Sequence, residues 1–256
     1  MKRYTPYLII FYLIFITSFV YGQGRNKIIA EKMFERRWHF DVMGGANLGG
    51  MAPLSFPSQI QEIKSYNPTL SGWFMGTFDY RFEDMWGVSS GLRFENKSMD
   101  TEAYVKGYSM ELKQDGMSIS GVWTGDVNTS VRTSHLSLPA DIVFYPSSRW
   151  SVNMGGYVSF VFYRKFIGDV HDGYLRKDGP TGQKLEIKDP APYNFSTNLR
   201  PFAYGLHIGG KWLAYRHFTV IADLNWGLSD VFKKDFHTVD FPMYAIYMNF
   251  GLGYRF

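Results

Sequence analysis

The sequence contains no cysteine, which excludes disulfide bonds, thiolate metal sites and a lipid anchor on cysteine. After Gln23 it has no apolar run long enough to cross a membrane as a helix, because such a helix needs about 20 apolar residues. Net charge is also small: without Lys2 and Arg3 the 27 basic residues become 25, against 23 acidic ones, which leaves +2. A chain this close to neutral shows no electrostatic sign of nucleic-acid binding.

The first 22 residues have the layout of a secretory signal peptide. Lys2 and Arg3 precede an apolar stretch over residues 7–22 that ends in small-residue positions. We therefore expect cleavage before Gln23, with an uncleaved anchor as the alternative. Residues 23–38, which have a helical pattern and a charged face, are then expected to form a short periplasmic tail.

Aromatic residues are abundant in a chain that is not hydrophobic overall. They make up 18% of the sequence, whereas the mean hydropathy is −0.19. This combination is typical of an outer-membrane barrel, in which aromatic side chains line both membrane interfaces and a polar interior lowers the mean hydropathy.

Eight segments place apolar side chains at every second position, as a strand with one lipid-facing side does. They are residues 39–50, 72–82, 86–97, 132–145, 150–163, 202–212, 218–228 and 244–256. Any one of these segments also fits a half-buried strand of a soluble sandwich. The decision therefore depends on how the eight segments are connected.

The connections alternate between long and short. The long ones are residues 51–71, 98–131, 164–201 and 229–243. Outer-membrane barrels have short periplasmic turns and longer outer loops. We predict an all-β fold: a closed antiparallel eight-stranded transmembrane β-barrel over residues 39–256, with long extracellular loops and short periplasmic turns, in the outer membrane of a Gram-negative bacterium.

The last predicted strand ends in Tyr254-Arg255-Phe256. A terminal Phe that closes an alternating strand resembles the signal read by the barrel-assembly machinery. We therefore expect Tyr254 and Phe256 to form this signal and that machinery to be a partner during biogenesis, with the lipid bilayer as the permanent partner.

Three stretches resemble the PorT family of outer-membrane β-barrels from the Bacteroidetes. They are residues 134–146 (SHLSLPADIVFYP), the Met154-Gly155-Gly156-Tyr157 that follows a short turn, and residues 225–230 (NWGLSD). The resemblance extends over essentially the whole mature chain and implies the fold and the location. It further implies a role as an accessory subunit of an envelope secretion or transport complex, and it offers no catalytic residue that matches here.

Strand alternation directs many charged residues to the predicted interior. The predicted interior network consists of Asp41, Asp79, Arg81, Arg93, Glu95, Asp141, His207, Lys211, Asp223 and Arg255. An eight-stranded barrel is only wide enough inside for side chains to fill it, and buried charges are costly unless they are paired. We predict a paired network that plugs the barrel, with an ion or proton path as the alternative.

One pair of residues suggests catalysis. His135 and Ser137 have the His-x-Ser spacing of outer-membrane lipid A deacylases. Their parity directs them inward, however, and no carboxylate can be assigned to orient the base. We therefore predict no enzyme, no catalytic residue, no cofactor and no metal site; Asp169 or Asp172 is a possible cation contact, with solvation as the preferred interpretation.

The predicted function is accordingly a structural or partner-binding role through the outer loops, because such loops on a rigid scaffold are common places for binding. An envelope protein is the expected partner. The alternative is the accessory-subunit role that the family resemblance implies.

Overall fold

The computed structural model describes residues 30–54, 57–114, 117–177, 179, 181–187, 189–236, 238–239 and 241–256, without the side chains of residues 111–119. The predicted signal peptide and the first residues of the tail lie outside this part. Within it there are eleven strands: β1 (Trp38–Ala52), β2 (Ile60–Asn67), β3 (Ser71–Arg81), β4 (Trp86–Gln114), β5 (Met117–Ser147), β6 (Trp150–Lys177), β7 (Lys184–Ile187), β8 (Ala191–Asn194), β9 (Phe202–Tyr215), β10 (Phe218–Gly227) and β11 (Tyr244–Arg255). A single turn of 3₁₀ helix spans Ser196–Asn198.

All eleven strands belong to one antiparallel sheet. β1 pairs with both β3 and β11, and β4 pairs with both β3 and β5. The remaining long strands pair in the order β5, β6, β9, β10, β11. β2 pairs with β4, and β7 and β8 both pair with β6. The all-β antiparallel prediction is confirmed.

The sheet has one buried and one exposed face, and the exposed face is apolar. In β3, Trp73, Met75 and Asp79 are buried, whereas Phe74 and Phe78 are 58% and 62% exposed. A soluble protein has the opposite arrangement, because it rarely exposes a large continuous apolar surface. An exposed apolar face on alternating strands indicates contact with lipid.

Aromatic rings lie at both ends of this apolar face. At the end with the short turns Trp150 stacks on Trp212 with ring centroids 5.8 Å apart, and at the other end Phe94 stacks on Phe162 at 5.7 Å. Phe94 lies eight positions after Trp86 on β4, which is roughly 26 Å of strand at about 3.3 Å per residue. With the strand tilt of about 40° typical of outer-membrane barrels, this length spans roughly 20 Å of height, close to their apolar band of about 25 Å.

The eight predicted segments correspond to β1, β3, β4, β5, β6, β9, β10 and β11. Three of the expected loops, however, contain strands. Residues 98–114 and 117–131 form the far halves of β4 and β5, residues 51–71 contain β2, and residues 164–201 contain the end of β6 with β7 and β8. The interpretation of these ranges as loops was wrong.

The physical reason is that β-branched side chains continue into these ranges and pack together. Val105, Val127, Val131 and Val170 are buried in one apolar cluster with Trp123, which is fully buried. β-branched and aromatic residues favour strands when their side chains can pack on the sheet surface. We call residues 98–114, 117–131 and 164–177, together with β2, β7 and β8, the distal sheet.

At the opposite end, residues 30–34 form a helical turn that packs on the sheet. Ala30 and Met33 are buried, and the Arg81 guanidinium lies 3.9 Å from the centroid of the Phe34 ring. In the described part of the chain no helix has the length and apolarity needed to span a membrane.

Candidate functional site

The buried face of the sheet contains a network of ion pairs, of which the first group surrounds Asp41. Arg255 donates to both oxygens of Asp41, from Nε and from a terminal nitrogen, each at 2.8 Å. The Lys211 ammonium lies 3.2 Å from Asp41 Oδ2 and 3.2 Å from Asp79 Oδ2. These residues come from β1, β3, β9 and β11, so the group connects four strands through their side chains.

A second group surrounds Glu95. Lys97 Nζ lies 2.8 Å from Glu95 Oε1, and Arg93 Nε lies 3.0 Å from Glu95 Oε2. Arg93 also donates to Asp223 Oδ1 at 3.1 Å. Because the Arg93 contact reaches from β4 to β10, this group joins two strands that lie apart in the pairing order.

The third group joins Asp141 on β5 to His207 on β9. His207 Nδ1 lies 3.2 Å from Asp141 Oδ1, and the side-chain nitrogen of Asn153 lies 3.3 Å from His207 Nε2. Gly155 makes room here, because a Cβ at that position would lie 2.0 Å from the Ala140 carbonyl oxygen and 2.4 Å from Asp141 Oδ1. Any larger residue at position 155 would displace the carboxylate or the neighbouring strand.

The structure buries all ten residues of the predicted interior network. It brings seven of them into ion pairs and places Asp141 against His207. Arg81 is the exception, because it donates to the main-chain oxygens of Phe34 and Asp84 instead. The predicted network omitted Lys97, which is 2% exposed. The signal was present, because Lys97 follows Arg93 and Glu95 at spacings of two and therefore shares their face.

His135 and Ser137 do not bond to each other in the described part of the chain. His135 Nε2 lies 2.9 Å from Thr133 Oγ1, and Ser137 Oγ lies 2.6 Å from Ser159 Oγ. Both residues are buried. A nucleophile needs its base within hydrogen-bond reach. Here the Ser137 hydroxyl contacts the Ser159 hydroxyl and, at 3.5 Å, Glu95 Oε1, but not the His135 imidazole.

A different kind of site lies between the distal sheet and the ends of β1 and β11. It is a cavity of about 370 Å³ with mostly apolar walls. Four methionines line it, and the other lining residues are aliphatic, aromatic or hydroxylated: Met51, Met99, Met110, Met243, Ile60, Ile63, Ala103, Val105, Val127, Ile246, Tyr66, Tyr108, Tyr193, Phe166, Phe195, Phe241, Thr101 and Thr129, with Gly49, Gly50, Ala52 and Pro53. No lining residue has a charged side chain.

The phenol of Tyr193 is one of the few polar groups at this cavity. Its hydroxyl lies 2.6 Å from Thr129 Oγ1 and donates to the Asn128 carbonyl oxygen at 2.8 Å. Burial raises the pKa of Tyr193, and burial also raises the pKa of Tyr66 on the other wall. Both phenols are therefore neutral at physiological pH, so the cavity is uncharged as well as apolar.

The predicted C-terminal signal lies against the first strand. The main-chain N–H of Phe256 donates to the Phe40 carbonyl oxygen at 3.0 Å, and the two rings lie 5.6 Å apart. Tyr254 contacts Phe256 edge to face with ring centroids 4.8 Å apart. These contacts fix the end of β11 at the edge where it pairs with β1.

Comparisons with known proteins agree with this architecture. A family model described as an outer membrane protein beta-barrel domain matches residues 21–233. No curated protein sequence matches the chain.

Similar solved structures include three bacterial outer-membrane proteins. They are the attachment invasion locus protein Ail of Yersinia pestis (12% identity, 86% of this chain and 100% of that chain, TM-score 0.41), the outer membrane protein OprG of Pseudomonas aeruginosa (10%, 85% and 95%, 0.37) and Neisserial surface protein A (10%, 86% and 98%, 0.33). Likenesses at this level have no bearing on function.

Proposed function

Because this chain belongs to the outer membrane protein beta-barrel domain family and is an integral outer-membrane protein of a Gram-negative bacterium, we propose that it is a non-enzymatic binding protein. In this proposal a plugged barrel anchors the distal sheet outside the cell, and the apolar cavity holds one small hydrophobic molecule. The observation that supports binding is the cavity itself, whose 370 Å³ lies within the size range of ligand pockets.

The proposed anchor is a closed barrel of the eight long strands. The pairings of β1 with β11 and of β4 with β5 favour closure, because together with the other six they form a complete circuit. The ion-pair network then occupies the interior, where five carboxylates meet lysine, arginine and histidine partners. We propose that residues 1–22 are the signal peptide, 23–38 a periplasmic tail and 39–256 the barrel domain.

The length of β4, β5 and β6 supports a position of the cavity outside the membrane. These strands have 29, 31 and 28 residues, whereas about 9–11 residues cross a bilayer. The excess of nearly 20 residues corresponds to roughly 60 Å of strand at about 3.3 Å per residue. The short turns lie at the other end, which in outer-membrane barrels faces the periplasm.

The chemistry of the walls favours a small apolar ligand over a peptide or an ion. The cavity has no charge to recognise an ion, and its volume is too small for a folded peptide segment. Four methionines supply flexible, polarizable contacts that adapt to different apolar shapes. The few hydroxyl groups, such as those of Tyr66 and Thr101, would orient the ligand.

The first test fills the cavity. Ala103→Phe places an aromatic ring in the cavity, so we expect this variant to lose a ligand that the unchanged protein binds one to one. The full chain in lipid nanodiscs is incubated with a panel of fatty acids and monoaromatic compounds, and bound molecules are counted by native mass spectrometry. Leu252→Phe adds the same ring to the exposed apolar face, where Leu252 is 67% exposed, and should bind like the unchanged protein.

Equal occupancy in Ala103→Phe and the unchanged protein would mean that the bound molecules sit on the lipid-facing surface. If no member of the panel binds to the unchanged protein, the cavity holds no ligand of these chemical classes. Either result removes the proposed ligand-binding role and leaves the anchor without an identified ligand.

A second candidate function is suggested by β2. Among the described strands β2 pairs with β4 alone, and seven of its eight residues are exposed. An exposed edge strand is a template for pairing with a strand of another protein. Together with the resemblance to the PorT family, this favours an accessory subunit that contacts an envelope partner through β2.

Site-specific crosslinking separates this candidate from the first. A photoreactive amino acid at Gln61, which is exposed on β2, is expected to give one discrete adduct with another envelope protein in living cells. The same amino acid at Glu83, exposed in the turn after β3, should give none. Identical adduct patterns at the two positions would count against a partner at β2.

A further inference from the structure

Three strands of the distal sheet bring together two carboxylates and one imidazole. Glu102 on β4, Asp126 on β5 and His171 on β6 each offer one ligand atom, and these atoms all lie within 4.8 Å of one another. The three residues are 24 and 45 positions apart in the sequence. Only the pairing of the distal strands makes them neighbours.

The strand register places these side chains away from the apolar cavity. Tyr104 pairs with Asp126, which pairs with His171, so the three share one face of the sheet, and Glu102 lies two residues from Tyr104 on that face. Ala103, Val127 and Val170 lie on the other face, where they join the apolar cluster. The cluster of ligating groups is therefore separate from the proposed ligand cavity.

An irregularity in the pairing of β5 with β6 adjoins the cluster. The register shifts between Thr124 and Asp126, and Gly125 there has a φ of +149°. A Cβ on Gly125 would lie 2.6 Å from the Cα of Gly173, so the two strands approach more closely than other residues allow. Opposite, Asp172 has a left-handed φ of +48°. Bulges of this kind re-aim neighbouring side chains, here those of Asp126 and His171.

The environment of Asp126 favours a bound cation. This residue is only 7% exposed, and its Oδ1 has no hydrogen-bond partner in the described part of the chain. The other oxygen, Oδ2, accepts from Lys64 Nζ at 2.6 Å. A buried carboxylate oxygen without a partner is costly, and a metal ion would relieve that cost.

The surrounding charge is also negative. Asp169 Oδ2 lies 3.4 Å from His171 Nδ1, and Asp172 Oδ2 lies 3.9 Å from His171 Nε2. The cation beside these carboxylates, the Lys64 ammonium, contacts Asp126 Oδ2. The side chain of Lys64 is 37% exposed and has room to move toward solvent.

We propose that Glu102, Asp126 and His171 bind a divalent transition-metal ion, with Zn²⁺ as the best match. One imidazole nitrogen and two carboxylate oxygens are ligands that Zn²⁺ accepts, with water at the fourth position. Tetrahedral ligands at about 2.1 Å from the ion are about 3.4 Å apart. Because the ligand atoms are now up to 4.8 Å apart, the side chains need to close by up to about 1.4 Å. The bound ion joins β4, β5 and β6, and Lys64 is its competitor for Asp126.

The test titrates ZnCl₂ into the untagged full chain in detergent and measures binding by calorimetry. We expect one ion per chain, and a loss of at least ~10-fold in affinity for His171→Gln and for Asp126→Asn. Lys64→Gln removes the competing ammonium and should bind Zn²⁺ more tightly than the unchanged protein. His217→Gln is the matched control, because His217 lies in the turn between β9 and β10, bonded to the Arg255 carbonyl oxygen, and should leave the affinity unchanged.

Co²⁺ provides a second readout that does not depend on affinity alone. Its visible absorption bands report the nitrogen and oxygen ligand set, and they should disappear in His171→Gln. The circular dichroism spectrum of each variant shows whether the barrel has folded. The proposal is overturned if the folded unchanged protein binds no Zn²⁺, if His171→Gln and His217→Gln bind equally, or if Lys64→Gln weakens binding.

Discussion

Replacing Asp41 with asparagine is expected to lower the free energy of unfolding by about 3–5 kcal/mol, the range for breaking a buried ion pair. Asp41 accepts two hydrogen bonds from Arg255 and lies 3.2 Å from the Lys211 ammonium. The amide keeps the shape of the side chain but removes its charge. Two cations then share Asp79 alone, at a place where neither can reach water.

Equilibrium unfolding by guanidinium in lipid vesicles, followed by tryptophan fluorescence, measures this loss. Glu83→Gln makes the same chemical change at an exposed turn and should lie within about 0.5 kcal/mol of the unchanged protein. Adding Lys211→Met to Asp41→Asn removes one of the stranded cations, so the double variant should be more stable than additivity predicts. A cost below about 1 kcal/mol for Asp41→Asn would show that water reaches the network.

The membrane-crossing part of the fold could be predicted from the sequence because lipid imposes a strict alternation. On β3, Phe74 and Phe78 lie on the exposed face and Asp79 lies on the buried face. The same alternation recurs in the other long strands. Parity also placed Asp41 and Lys211 on the buried face, although they are 170 residues apart. Parity did not predict which charged residues form ion pairs with each other. Those pairs depend on which strands face each other, and this is set by the whole series of strand pairings.

The distal sheet could not be predicted in this way. Outside the bilayer a strand has no fixed length and no lipid-facing side, so the ten-residue pattern ended at Lys97 although β4 continues to Gln114. β2 is exposed at nearly every position and β7 has four residues, so neither shows a period. Asp126 and His171 are neighbours only through a shifted register, which no spacing in the sequence indicates.

The two parts of the molecule therefore differ in what stabilises them. In the proposed topology, ion pairs connect opposite strands where lipid surrounds the sheet, and an apolar cluster holds the distal sheet together where water surrounds it. In each part the buried face and the exposed face differ in polarity. The exposed face matches its surroundings, lipid or water, and the buried face has the opposite character. Such an arrangement predicts that the distal sheet opens independently of the strands within the membrane.

Replacing Trp123 with alanine tests this independence and is expected to cost the distal sheet about 3–5 kcal/mol, the range for a large aromatic side chain truncated in a core. Trp123 is fully buried in the apolar cluster, and the backbone of β5 and β6 closes on its ring at Gly125 and Gly173. The local loss should appear as faster amide hydrogen exchange over residues 98–131, measured by mass spectrometry, while β10 keeps its protection.

Trp123→Phe retains an aromatic ring, and it removes an indole N–H that has no hydrogen-bond partner in the described part of the chain, so its effect should be much smaller. Faster exchange in β10 as well would show that both parts unfold as one cooperative unit. A cavity in the distal sheet changes exchange in β10 only if the two parts open together.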